Sequence, residues 1–321
     1  MSNQDEVDAR LVKAICDRLF PYEGPIRFQR MQSGGSTQVF QLDGADGRRF
    51  LRFAEDADAS LAPEAWVHDR LYAMGARVPN VLVIDEHPPE IDRSIMVTAA
   101  VPGFALASRN GPKSLHDDDI RRALFLAGQD LAQIHSIPVE GFGFIRRGAT
   151  WNGTLSAPFQ SMQAWNRSMH IDPSPFETFF SGSEYQFLMR TIESASSVEA
   201  PTKAVLAHGD FDTSHIFVDG GGYSGIIDFG EIRGADRWFD LAHFRAVSSI
   251  ECRHSGFAGL IEGYSTIYQL SDDDLVRIDE RAIVVGCSIL QRIRGRGLEL
   301  VERSLIESIR MLIDVHAGEF R

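Results

Sequence analysis

The chain has 321 residues, 44% hydrophobic and 24% charged, an ordinary globular composition with length for about two domains and a sizeable core, which excludes global disorder. Its 32 Lys and Arg against 45 Asp and Glu leave a net charge of −13 with neutral histidines. That is the wrong sign for neutralising phosphates, so a generic nucleic-acid partner is set aside in favour of cationic partners or plain solubility.

Val7, Leu11, Ile15 and Leu19 recur every four residues and define one face of an opening helix that ends near Pro21. Three β-like runs follow, 26–31, 38–42 and 49–53, parted by Gly34-Gly35 and by Asp43-Gly44 with Asp46-Gly47, which predicts an antiparallel meander. A helix over 63–74 with proline in its first turn, then strands over 81–84 and 95–100, complete a small strand-rich lobe assigned to residues 1–101. From Pro102 the texture turns helical, and residues 102–321 are assigned to a second lobe. Its clearest helix spans 121–135, with Leu124, Ala127, Leu131 and Ile134 near 3.6 spacing. The aromatic-bearing region 142–200 also reads as helical. Short strands over 205–207, 216–218 and 224–227 precede amphipathic helices to the C-terminus. Gly220 to Gly225 formally contains GxGxxG, but a strand follows where a dinucleotide site requires a helix, so it is a hairpin turn.

The chemistry-bearing stretch is His208-Gly209-Asp210-Phe211-Asp212-Thr213-Ser214-His215, followed by Ile226-Ile227-Asp228-Phe229-Gly230. Asp210 directly follows a short apolar run, His215 lies at the far end of a loop, and Asp228 follows a second apolar strand. A hairpin between His215 and Asp228 can fold them back toward one point. Phosphoryl transfer needs that geometry: one carboxylate to orient a hydroxyl and accept its proton, and two ligands to hold magnesium against nucleotide phosphates.

These motifs, in this order, resemble those of the aminoglycoside phosphotransferase and choline-kinase-like small-molecule kinases, relatives of the protein kinases. His208-Gly209-Asp210 looks like the family's catalytic HGD, Asp228-Phe229-Gly230 like its metal-binding segment, and Gly234-Ala235-Asp236 with Asp240-Leu241-Ala242 like its GDPxxDLA segment. The resemblance covers residues 26–245 and implies an α+β, bilobal protein-kinase-like fold. In that fold a small antiparallel-sheet lobe carries one main helix, and a larger lobe is mostly helical. It also implies that Asp210 is the base, that His215 and Asp228 hold Mg2+, and that Asp240 braces the catalytic loop. Gly34, Gly35, Ser36 and Thr37 resemble the loop that covers the phosphates of ATP or GTP, where missing side chains let backbone N–H groups approach. Arg52 stands where a lysine usually meets the α- and β-phosphates, Glu64 twelve residues on is its partner, and Thr98 to Gly103, with Thr98 and Ala100, is the hinge that receives the base.

Two departures stand out. His215 replaces the usual asparagine ligand, although magnesium prefers oxygen, and Arg52 replaces lysine with a planar fork. The expected activity is ATP- or GTP-dependent phosphorylation of a small-molecule hydroxyl, first an aminoglycoside or related antibiotic. A metabolic acceptor (amino alcohol, sugar or homoserine) and a regulatory pseudokinase are the alternatives, and retention of Asp210 and Asp228 weighs against the last. Glu231, Asp236, Asp212 and the run Asp272-Asp273-Asp274 offer a field for a cationic substrate, while Ser271 with that run also makes a good helix start. Trp151, Trp165 and neighbouring phenylalanines offer walls for a larger apolar one, or core packing. Cys16, Cys252 and Cys287 form no CxxC pair, and the acidic start MSNQDEVDAR lacks a secretory pattern, so the expectation is a cytoplasmic protein without membrane contact, monomeric or homodimeric.

Overall fold

The computed structural model describes residues 7–31, 38–107, 115–148, 151–197, 203–248 and 256–317. The chain forms two compact units, Met1–Val101 with Arg146–Thr154, and Pro102–Ile145 with Leu155–Arg321. No helix among the described residues is long and apolar enough to cross a membrane.

In the first unit, α1 (Ala9–Leu19) begins where the Asp8 carboxylate accepts the N–H groups of Arg10 and Leu11, both at 2.8 Å. Five antiparallel strands follow: β1 (Arg27–Arg30), β2 (Val39–Gly44), β3 (Gly47–Phe53), then, after α2 (Ala62–Ala73), β4 (Val81–Asp85) and β5 (Ile95–Ala99). Val12, Ile15 and Cys16 of α1 join Phe40, Leu42, Leu51 and Phe53 in one core. The two-residue period then puts Arg52 on the opposite face of β3. There Leu61 and Ala65, at the start of α2, pack with Met96 of β5.

The sheet order is β1-β2-β3-β5-β4, so the last two strands depart from a simple meander. The reason is burial. Ile95, Met96 and Val97 are buried in succession, as a strand apolar on both faces requires, and this places β5 inside the sheet. In β4, Leu82 and Ile84 are exposed, which suits an edge.

The second unit contains β6 (Phe104–Ala105), α3 (Asp117–Ile134), β7 (Pro138–Val139), β8 (Gly143–Phe144), α4 (Met162–Met169), α5 (Gly182–Ser197) and β9 (Ala204–Ala207). It continues with β10 (Ile216–Asp219), β11 (Gly222–Ile226), β12 (Arg233–Ala235), α6 (Phe239–Val247), α7 (Phe257–Ser265), α8 (Asp272–Ile293) and α9 (Glu299–Ala317). Helix α3 starts ahead of residue 121 because Asp117, Asp118 and Asp119 occupy its first turn, where negative charge is favoured. Region 142–200 is not wholly helical: β8 lies within it, and Phe142 bridges Phe159. Strands of two or three residues carry too little alternation to be read from sequence. Gly220 and Gly221 do form the β10–β11 turn, both at positive φ. Ser271 and Asp274 cap α8 reciprocally, at 3.2 and 2.9 Å, so the acidic run is a helix start. Trp165, Phe176 and Phe180 are core residues.

Helices α3 and α7 pack backbone against backbone. A Cβ on Gly128 would lie 2.2 Å from the Leu260 carbonyl oxygen, and one on Gly263 would lie 1.8 Å from that of Phe125. This approach brings Tyr264 of α7 beside His135 at the end of α3, with ring centroids 5.5 Å apart. Gly263→Ala is expected to destabilise the protein by about 1–3 kcal/mol through overpacking. Chemical denaturation measures this, and an unchanged midpoint would mean the helices separate freely.

Candidate active site

The loop from His208 to His215 joins β9 to β10, and α6 holds its start. The buried carboxylate of Asp240 accepts the N–H of His208 at 2.6 Å and that of Gly209 at 2.8 Å. It also faces His135 Nε2 at 3.0 Å, while His135 Nδ1 lies 2.8 Å from the Tyr264 hydroxyl. With Asp240 accepting, Nε2 carries the proton and Nδ1 takes the tyrosine O–H. Burial alone would push the Asp240 carboxyl up. The hydrogen bond from His135, the electrostatic attraction of the His135 and His208 rings and the Gly209 amide outweigh it and hold the group below its ordinary range. Gly209 has φ +90°, and a Cβ there would lie 2.0 Å from the Glu231 carbonyl oxygen, so only glycine fits.

His208 ties the loop to the residue that directly follows β11. Its Nε2–H donates to the Ile227 carbonyl at 2.9 Å, and its Nδ1 accepts the Asp210 N–H at 3.3 Å. Burial first, then the nearby His215, pull its pKa down against Asp240, Ile227 and Asp228, and the ring serves as a neutral clamp.

Pairing of Ile216 with Ile226, and donation from the Ile227 N–H to the His215 carbonyl at 2.9 Å, set the register that brings His215 beside Asp228. His215 Nδ1 lies 2.7 Å from the main-chain oxygen of Asp210. A carbonyl cannot donate, so Nδ1 carries a proton, and Nε2, 3.7 Å from Asp228 Oδ2, is the nitrogen that can bind a cation once it gives up its own. Burial opposes a charge on His215, but Asp212, Asp210 and Asp228 together with the Asp210 carbonyl prevail and raise its pKa. Asp228 holds a left-handed backbone, φ +64°, which aspartate tolerates better than most residues, and its carboxylate accepts the Gly230 N–H at 3.3 Å.

An imidazole nitrogen and a carboxylate converging in this way fit a divalent cation, with an imidazole that suits transition ions better than it suits magnesium. Asp210, Asp212 and His215 also present ligand atoms within 4.8 Å of one another. That set fits less well, because Nδ1 is already donating and Asp212 Oδ1 accepts both the N–H and the hydroxyl of Ser214. The Asp210 side chain is 43% exposed, with Oδ2 4.0 Å from His215 Nδ1 and Oδ1 3.4 Å from His243 Nε2. His243, on α6, was not legible as a site residue. The one signal was its place three residues after Asp240.

In the first unit, Arg52 Nη1 donates to Glu64 Oε1 at 2.6 Å, and Arg147 Nη2 approaches Glu64 Oε2 at 3.3 Å. Glu64 is therefore a buried carboxylate between two guanidinium groups, and Arg147 is the partner that sequence reasoning missed. Thr98 is buried in β5, where it pairs with Phe50, and Ala100 donates its N–H to the Arg48 carbonyl at 3.1 Å. Gly34, Gly35 and Ser36 lie outside the described residues. Among the acidic candidates, buried Asp236 pairs with Arg281, Asp274 is spent on the α8 cap, and Glu231 meets Arg233 at 3.0 Å while staying half-exposed.

The sequence model of the phosphotransferase enzyme family matches residues 27–276. No curated protein matches the chain in sequence. Among solved structures, aminoglycoside phosphotransferase APH(4)-Ia in a ternary complex with AMP-PNP and hygromycin B has a TM-score of 0.65 at 15% identity, covering 97% of this chain and 100% of that one. The GDP and kanamycin complex of APH(2")-IIia has a TM-score of 0.61 at 15% identity, with 96% and 98% covered. Macrolide 2'-phosphotransferase MphH from Brachybacterium faecium has 0.54 at 16% identity, with 91% and 98% covered. At these identities the likeness is one of fold, and the fold is the α+β kinase-like one.

Because the Asp240 carboxyl is depressed in the folded state, its contribution to stability is present above its ordinary value of 3.8 and is lost as pH falls through the lower folded value. Asp240→Asn is expected to cost about 3–5 kcal/mol near neutral pH, as an uncompensated break in a buried network, and to flatten the acid limb of stability against pH. Urea denaturation across pH measures both, and identical acid limbs would contradict the assignment.

Proposed function

The chain belongs to the phosphotransferase enzyme family, and from that premise we propose that it transfers the terminal phosphoryl group of ATP or GTP to a hydroxyl of a small molecule. The meeting of Asp210, His215 and Asp228 at one end of the β10–β11 hairpin carries this reading. Asp210, half-exposed on a loop whose backbone is clamped at His208 and Gly209, orients the acceptor hydroxyl and takes its proton. His215 Nε2 and the Asp228 carboxylate are the groups to hold magnesium, which when bound supplies positive charge against the phosphate oxygens. Arg52, kept in one orientation by Glu64, is assigned to the α- and β-phosphates. Gly34, Gly35 and Ser36 are assigned to the phosphates and Thr98 with Ala100 to the base. Relatives in complex with AMP-PNP and with GDP keep both nucleotides in view.

For the acceptor, an aminoglycoside or related antibiotic comes first, because complexes of similar fold contain hygromycin B and kanamycin. Engagement of Asp236 by Arg281 and of Asp274 by the α8 cap removes two carboxylates from a polycation site. That observation favours the second reading, a metabolic acceptor such as an amino alcohol, a sugar or homoserine.

A coupled assay of nucleoside-diphosphate release over a panel of both classes, with each nucleotide, separates them, since only the antibiotic reading predicts raised drug tolerance in an expressing host. In the same assay Asp210→Asn is expected to lower turnover about 10²–10⁴-fold with nucleotide binding intact. Unchanged turnover would remove Asp210 from the chemistry.

A further inference from the structure

Helix α6 meets the catalytic loop at two points. Asp240 takes the amides of His208 and Gly209, and His243, three residues on and hence on the same helix face, reaches residues 210 and 211. The His243 ring is buried, with Nδ1 3.1 Å from the Phe211 carbonyl oxygen and Nε2 3.4 Å from Asp210 Oδ1. Both oxygens are acceptors: a carbonyl has no proton, and neither has an ionised carboxylate. A neutral ring, protonated on one nitrogen, satisfies one of them, and only the doubly protonated imidazolium donates to both. The carbonyl anchors Nδ1, and Nε2 then stands 3.4 Å from Oδ1. The other imidazole near this carboxylate, His215, commits its Nδ1 proton to the Asp210 main-chain oxygen and stands 4.0 Å from Oδ2.

We propose that His243 is a positioning residue for the base: pinned by the Phe211 carbonyl, it donates from Nε2 to Asp210 Oδ1 and leaves Oδ2 to the acceptor hydroxyl. A carboxylate that is 43% exposed and sits on a loop has rotational freedom about its side-chain bonds, and a donor fixed in a helix removes much of it. The proposal rests on the reading of Asp210 as base. It explains why a buried histidine sits in α6 with both nitrogens turned to the loop, where an apolar side chain would fill the same space.

Two near-isosteric substitutions divide its contacts. In His243→Gln the amide nitrogen falls close to the position of Nε2 and keeps a donor for Asp210. In His243→Asn it falls close to Nδ1 and keeps only the Phe211 contact. The readouts are kcat and KM for nucleotide release, with the best acceptor of the panel and with water alone, alongside thermal melting. His243→Asn is expected to lose about 10–100-fold in kcat with the nucleotide KM unchanged, the scale of a base displaced by about an ångström, and His243→Gln to recover most of that loss. Wild-type kcat in His243→Asn, or equal losses in both variants tracking equal losses of melting temperature, would overturn the proposal. An inactive Asp210→Asn beside a fully active His243→Asn brings down this proposal alone. Full turnover in Asp210→Asn brings down the base reading and this proposal with it.

Discussion

The site in the second unit depends on one buried carboxylate. Asp240 receives two consecutive main-chain amides at the start of the loop from His208 to His215 and an imidazole from the end of α3, and this converts a loop into a fixed scaffold. A charge with no exposed surface is tolerable only when donors surround it, and three do. Those donors rely in turn on packing: His135 is oriented by Tyr264, and Tyr264 is in reach because glycines let α3 and α7 touch through their backbones. A contact between two helices far along the chain from Asp210 therefore governs where Asp210 stands.

Three histidines lie in or against this loop, and the partners of each ring mark what it can do. His208 donates to the Ile227 carbonyl and accepts from Asp210 N–H, so it is a neutral clamp with no free nitrogen. His215 commits Nδ1 to a carbonyl and turns Nε2 toward Asp228, which suits a ligand. His243 stands closer to its carboxylate, Nε2 3.4 Å from Asp210 Oδ1, which suits a donor that steadies it. One residue type suits three different tasks because the hydrogen bond made by one nitrogen limits what the other can do.

Much of this was legible because it is local. The hairpin linking His215 to Asp228 follows from two short apolar runs and a glycine turn, and the partnership of Arg52 and Glu64 follows from a strand and the first turn of the next helix. What escaped is what long-range packing decides. Arg147 reaches Glu64 from 83 residues away, and Arg281 claims Asp236 from 45. Strands β6, β7, β8 and β12 are too short to show a period, and the place of β5 inside its sheet turns on a burial contrast with β4 that propensity does not express. His243 escaped because a histidine in an amphipathic helix looks the same whether it faces solvent, core or carboxylate.

In the proposed function the proton-accepting and cation-holding groups are separate: Asp210 for the hydroxyl, His215 Nε2 with Asp228 for the ion. A crystal structure with a non-hydrolysable ATP analogue and Mn2+, located by its anomalous signal, tests it directly. The expected result is a manganese peak bonded to His215 Nε2 and an Asp228 oxygen, with the Asp210 carboxylate outside the coordination sphere and facing the terminal phosphate. A peak seated on Asp210 and Asp212, or phosphates bound away from this loop, would contradict it.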